Sequence, residues 1–184
     1  MTAAARQDQY RLAMILGSVR EGRFVTTVGE WFARQAGRRD DVKLDVIDLA
    51  RPEEDVRTLG ERVGAADAVV VVVPEYNHSF PGELKVAIDS LKPQWRAKPV
   101  GFVSYGGRGG GLRAVEQLRP VFAELHATTI RETVSFHDVW REFGPDGEPR
   151  RAGEAAGAAG ALLDQLAWWA LVLRRGREEL PYPV

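Results

Sequence analysis

Three short stretches hold the side chains best placed to do chemistry, and each follows an apolar run. In residues 17–24, GSVREGRF, the hydroxyl of Ser18 stands beside the guanidinium forks of Arg20 and Arg23. A helical apolar pattern begins at Val25, so the positive end of a helix and its unpaired N–H groups would point at the same place. Guanidinium grips a phosphate dianion through two parallel charged hydrogen bonds, which makes this turn a candidate phosphate site; the alternative is two solvated arginines. No Gly-Lys-Ser/Thr ending follows, which excludes a nucleoside triphosphate loop. In residues 74–79, PEYNHS, Pro74 ends a strand and leaves Tyr76 and Asn77 free to face a ligand. The Asn77 amide both donates and accepts, which suits the mixed polar edge of a flavin or a purine; alternatively Asn77 and Ser79 only cap the next helix. In residues 104–111, SYGGRGGG, glycines let backbone N–H groups come close to a flat ligand, or else form a plain flexible turn. The match of Gly109, Gly111 and Ala114 to a dinucleotide fingerprint is weak, because it follows the fourth strand instead of the first.

Strand and helix patterns alternate through the chain. Strands are expected at 11–17, 43–49, 66–74, 98–107 and 128–136, and helices at 25–37, 57–64, 81–92, 111–125 and 155–175. The unbroken valines 69–73 read as a central strand buried on both faces, whereas KLDVIDL alternates as an edge strand does. The expected fold is therefore α/β, a three-layer doubly wound sandwich with a five-stranded parallel sheet in the order 2-1-3-4-5. Ligands bind such sheets outside the carboxyl ends of the strands where the order reverses, which is where the three stretches fall. Residues 137–154, with a Gly-Pro-Asp-Gly turn, read as a loop over the sheet edge. The last helix carries Leu162, Leu166, Trp169 and Leu173 on one stripe and Trp168, Leu171 and Val172 elsewhere, so an apolar surface is left over that predicts a homodimer.

Composition narrows the function. The 184 residues suit one domain, 1–184, with 1–9 flexible. The 25 basic and 26 acidic residues give a net charge of -1, so no global field draws the chain to nucleic acid or to a membrane surface. With 0 cysteines there are no disulfides, thiolate metal sites or cysteine nucleophiles, and a redox role needs a borrowed cofactor. His78, His126 and His137 show no metal-ligand spacing. The start lacks an apolar signal core and the apolar runs are short for a bilayer, so a cytoplasmic protein is expected.

Together GSVREGRF, PEYNHSFPGELKVAID and SYGGRGGGLRAVEQLR resemble the NAD(P)H-dependent FMN reductases of flavodoxin-like fold. The likeness runs from the first strand to the fifth, and its specific part is Pro-Glu-Tyr-Asn-x-Ser-x-Pro. The resemblance implies that Ser18, Arg20 and backbone groups near Arg23, Phe24 and Val25 hold the FMN phosphate. It implies that Pro74, Glu75, Tyr76 and Asn77 line the isoalloxazine, and that Ser104, Gly106 and Gly107 approach its pyrimidine side and ribityl chain. It further implies NADPH or NADH as donor, a small acceptor (free flavin, quinone or azo compound), a ping-pong cycle with no protein acid or base, and a homodimer or homotetramer. Two departures stand out: Val86 replaces an expected Asn, and the proline-rich segment after the second strand is reduced to RPEEDV. The rival readings are an FMN-binding electron carrier without NAD(P)H turnover and a degenerate regulatory binding module.

Overall fold

A computed structural model of the protein describes residues 9–51 and 55–183. The expected flexible start and the middle of RPEEDV fall largely outside these residues; Gln9 is described, and its amide donates to the Asp40 carbonyl at 2.8 Å. The elements are β1 (Tyr10–Leu16), α1 (Val25–Ala36), β2 (Val42–Asp48), α2 (Val56–Ala65), β3 (Ala68–Pro74), α3 (Gly82–Asp89), β4 (Pro99–Tyr105), α4 (Leu112–Glu124), β5 (Thr128–Phe136), α5 (Val139–Glu142) and α6 (Ala152–Glu179). All strand pairs are parallel, in the order β2-β1-β3-β4-β5. Every residue of β3 and β4 is buried, because helices cover both faces of the middle of the sheet. One apolar layer joins α1 and α6 to the sheet through Trp31, Phe32, Leu162 and Leu166; the other joins α2, α3 and α4 through Leu59, Leu84, Ile88 and Phe122.

Three expected boundaries move. The third helix stops at Asp89, and Pro93–Trp95 forms a separate 3-10 turn that buries Trp95, whose indole N–H donates to the Ile88 carbonyl at 3.0 Å. The expected loop at 137–154 contains α5, a single turn pinned by the buried Val139. The last helix is longer than expected, 28 residues, and its apolar window has a mean hydropathy of 1.4, which by length and composition would cross a bilayer. Its buried Leu162, Leu163, Leu166 and Ala170 instead make it a layer of the sandwich.

Lys98, just before β4, ties the start of that strand to the end of α2. It is 3% exposed, and its ammonium donates to the carbonyls of Val63 and, at 3.4 Å, Gly64 where α2 ends. Burial, with help from Arg177 and against the pull of Asp67, pushes its pKa down to about 8 from 10.5. The unfolded chain therefore binds an extra proton between those values, so the cost of burying this charge is full below pH 8 and fades as pH rises toward 10.5. Relative to Lys98→Met, the wild-type unfolding free energy should climb by about 2 kcal/mol between pH 8 and pH 10 in urea titrations. Taking the difference removes the opposite effect of Tyr10 and Tyr105, whose hydroxyls burial holds above their ordinary range. A difference that stays level with pH would refute the assignment.

Candidate functional site

The first turn leaves β1 at Leu16, which is paired in register with Asp48 at the end of β2. That register decides what Arg23 does. Its guanidinium reaches across to Asp48 in a two-pronged ion pair, 2.6 Å and 2.5 Å, and also donates to the Ser18 carbonyl at 2.7 Å. Burial pushes the Asp48 carboxyl up, but the Arg23 hydrogen bonds, the Ala50 N–H and Arg51 outweigh it and hold the group below the usual carboxylate range. Arg23 is thus a brace for the turn, and its side chain is spent inside the protein. Arg20 is exposed, and no carboxylate pairs with it among the described residues. At the start of α1 neither a side-chain cap nor an acidic residue is present, and the N–H groups of Val25, Thr26 and Thr27 meet no acceptor among the described residues. Phe24 packs its ring against Tyr105 and Phe143, which fixes the helix start over the sheet.

The second turn is a tight hairpin. Tyr76 and Ser79 exchange backbone hydrogen bonds at 2.9 Å, with Asn77 at φ 50 and His78 at φ 67 between them. Asn tolerates this left-handed backbone better than most residues, so Asn77 has a plain geometric duty at the exposed tip. Ser79 does not cap α3; its hydroxyl donates to the Gln117 side chain at 2.6 Å. Nor is Tyr76 free in the way the sequence suggests. Its hydroxyl lies 2.7 Å from that of Ser18, and the Arg20 guanidinium covers its ring at 3.6 Å, a cation–π contact. The exposed cation and the phenol thus lie face to face at the mouth of the first turn.

The third turn meets the second through Glu75. Its N–H donates to the Tyr105 carbonyl at 3.0 Å, and one carboxylate oxygen accepts from Arg113 on α4 at 2.6 Å. The other oxygen, Oε2, is buried with no partner among the described residues. A Cβ on Gly109 would fall 2.8 Å from that oxygen, so a side chain there would displace the carboxylate. Ser104 is buried and faces inward, its hydroxyl donating to the Gly110 carbonyl at 2.8 Å, where the Ser135 hydroxyl also donates at 2.7 Å. His137 lies over the same turn, with Nδ1 2.8 Å from the Arg108 carbonyl. Gly106 is backbone-bonded on both sides, to Phe136 and Val139, whereas the N–H groups of Gly107, Arg108 and Gly109 have no acceptor among the described residues.

The three turns therefore converge, as the contacts Ser18–Tyr76, Arg20–Tyr76 and Glu75–Tyr105 require. The cleft offers two sets of unpaired N–H groups, one at the head of α1 and one at 107–109, with an exposed cation beside the first. A phosphorylated ring compound fits that donor set: an anion at the α1 end and ring carbonyls at the glycine end. Among the described residues no group of three or more His, Cys, Asp or Glu side chains stands ready for a metal. A separate concavity of about 420 Å³, bordered by Arg11, Lys43, Asp45 and Arg62, opens at the strands' amino ends, away from these turns.

The NADPH-dependent FMN reductase family profile matches residues 10–141, from β1 into α5. The chain belongs to the NADPH-dependent FMN reductase family. It is an oxidoreductase, with FMN as cofactor and NAD(P)H as electron donor. An NAD(P)H-dependent FMN reductase of Saccharomyces cerevisiae is 31% identical over 148 residues, 65% of this chain and 77% of the relative. A quinone reductase of Escherichia coli is 31% identical over 143 residues, 68% and 76% of the two chains. A similar enzyme of Schizosaccharomyces pombe, also an NAD(P)H-dependent FMN reductase, is 31% identical, and the match spans only 60% of its length. Among solved structures, a flavoenzyme NAD(P)H:(acceptor) oxidoreductase of Paracoccus denitrificans superposes with a TM-score of 0.69 at 21% identity, over 89% of this chain and 98% of its own. That likeness shows the flavodoxin-like fold. Asp48, Ser135, His137 and Trp140 are site neighbours that sequence reasoning misses; the position of Asp48 at a strand's carboxyl end is the one signal that points to any of them.

Proposed function

We propose that this family member is a reductase of small flat acceptors, such as quinones, azo compounds or free flavin, with donor and acceptor entering one cleft in turn. The observation that carries the reading is the convergence of three turns at the carboxyl ends of β1, β3 and β4, with N–H groups left unpaired at both ends of the cleft. Bound FMN would supply the redox chemistry between a reduced nicotinamide and the acceptor, chemistry that no side chain of this protein can supply. The chain's own residues position and polarise. Arg20 and the N–H groups of Val25, Thr26 and Thr27 hold the phosphate, and Ser18 orients Tyr76. Pro74, Glu75, Tyr76 and Asn77 form one wall; Ser104 and Gly106 fix the third turn so that the N–H groups of Gly107, Arg108 and Gly109 meet ring carbonyls, where negative charge builds on reduction. Arg23 and Phe24 act through the turn: the first braces it against Asp48, the second seats α1. No side chain is needed as acid or base. Nicotinamide dependence favours a cytoplasmic setting.

Purified protein mixed with FMN, NADPH or NADH, and a quinone tests this. Many turnovers of nicotinamide per protein are expected; consumption of no more than one equivalent would leave only a carrier. Arg20→Ala should weaken FMN binding about 30-fold, the worth of a charge-assisted hydrogen bond, and should leave riboflavin, which lacks the phosphate, almost unaffected. Equal FMN affinities for the two proteins would remove Arg20 from the phosphate site.

The assembly proposed is a homodimer, or a tetramer of such pairs. Supporting it, Trp168 is 58% exposed and Val172 42% exposed on the outer face of α6, a concentrated apolar surface for a lone chain. A monomeric mass at micromolar concentration in sedimentation would reject the assembly.

A further inference from the structure

Trp140 is 69% exposed, although Trp31 and Trp95 are each 1% exposed. It stands on α5, and α5 hangs directly from the third turn. The N–H of Asp138 donates to the Gly107 carbonyl at 2.9 Å and that of Val139 to the Gly106 carbonyl at 3.0 Å. Both flanks of the tryptophan are anchored. Val139 is fully buried, and Phe143 packs edge-on against Phe136 at 4.9 Å and Phe24 at 5.7 Å. The Glu142 carbonyl accepts the Arg150 N–H at 2.7 Å, and its carboxylate pairs with Arg151 at 3.4 Å. A turn held on both sides keeps the indole out in the open, because folding it inward would break those contacts. The indole edge lies next to Gly107, with Cζ3 3.9 Å from where a Cβ on that glycine would sit. Gly107, Arg108 and Gly109 are the residues whose N–H groups point to no acceptor among the described residues. An exposed π surface carried on an anchored turn and a row of free donors thus lie side by side at the third turn.

We propose that Trp140 is the aromatic wall of the site, packing against the planar ring that the N–H groups of 107–109 receive. This rests on the flavin reading, under which the ring is the pyrimidine end of the isoalloxazine. Aromatic surfaces attract such rings through offset or edge-on contact, and the effect depends on an aromatic side chain more than on tryptophan itself. Phenylalanine should therefore replace it and alanine should not.

The test is a titration of FMN, and separately of riboflavin, into wild type, Trp140→Phe and Trp140→Ala, followed by the visible absorbance bands. For both ligands the alanine variant should bind about tenfold more weakly and return the band shape toward that of free flavin. The phenylalanine variant should stay within about threefold of wild type and keep the bound spectrum. Because the side chain is largely exposed, melting temperatures should be close across all three proteins. An alanine variant with wild-type affinity and spectrum overturns the assignment while leaving the flavin reading in place. Wild type that binds neither ligand overturns both.

Discussion

Asp48→Ala should lower the unfolding free energy by about 3 kcal/mol, at the lower end of the range for removing one partner of a buried ion pair. The low end applies because the two side chains, 15% and 10% exposed, are not wholly sealed from water. The loss has two sources. Arg23 keeps a charge in a partly desolvated place with only the Ser18 carbonyl to hold it, and Ala50 loses the acceptor for its N–H. Urea unfolding near neutral pH measures the effect, and pH gives it a signature. Since the folded carboxyl lies below 3.8, its contribution is complete above that value and disappears as pH falls through the folded pKa. The wild-type and variant curves should therefore approach each other in acid. FMN affinity should fall as well, because the brace holds Ser18 and the head of α1. A stability change under about 0.5 kcal/mol, the usual scale for a surface ion pair, would mean that the pair is merely superficial.

Gly111→Ala should be as damaging, for a different reason. Gly111 precedes α4 at φ 82, in the left-handed region that costs other residues about 1–2 kcal/mol. A methyl group there would also lie 2.6 Å from the Ser104 Cβ and 2.7 Å from the Tyr105 nitrogen, both parts of the buried end of β4. Strain and overlap together should cost about 3 kcal/mol. The shift must pass into the third turn, so FMN binding should suffer beyond the loss of stability. Gly157→Ala provides the control. It lies on an exposed face of α6 with nothing within 4 Å of the added carbon, and it should stabilise the protein by about 0.5–1 kcal/mol. If both variants melt together, the tight fit at 111 is not what holds the turn.

The sheet was readable because its signals are local. Five consecutive valines in β3 report burial on both faces, and the alternation of β2 reports an edge, without knowledge of any distant residue. Once the strand order is known, the carboxyl-end turns are a consequence, so the neighbourhood of the site was legible too. Its side-chain pairings were not. Arg23 with Asp48 and Glu75 with Arg113 join residues 25 and 38 positions apart, and they depend on which strand ends lie side by side. Sequence assigns Arg23 a free fork and Tyr76 an open face; the contacts show both engaged. α5 escaped because a four-residue turn has no room for a periodic pattern, and its anchors, Val139 and Phe143, resemble ordinary loop hydrophobics until the aromatic cluster they join is known.

The stacking of Arg20 on Tyr76 links the fate of one end of the cleft to that of the other. Stacking uses the flat face of the guanidinium and leaves its in-plane N–H groups free, so Arg20 can grip an anion at α1 while still lying over the phenol. The tyrosine thus sets the direction in which the fork points, and loss of the ring at position 76 should be felt through the phosphate, more for FMN than for riboflavin.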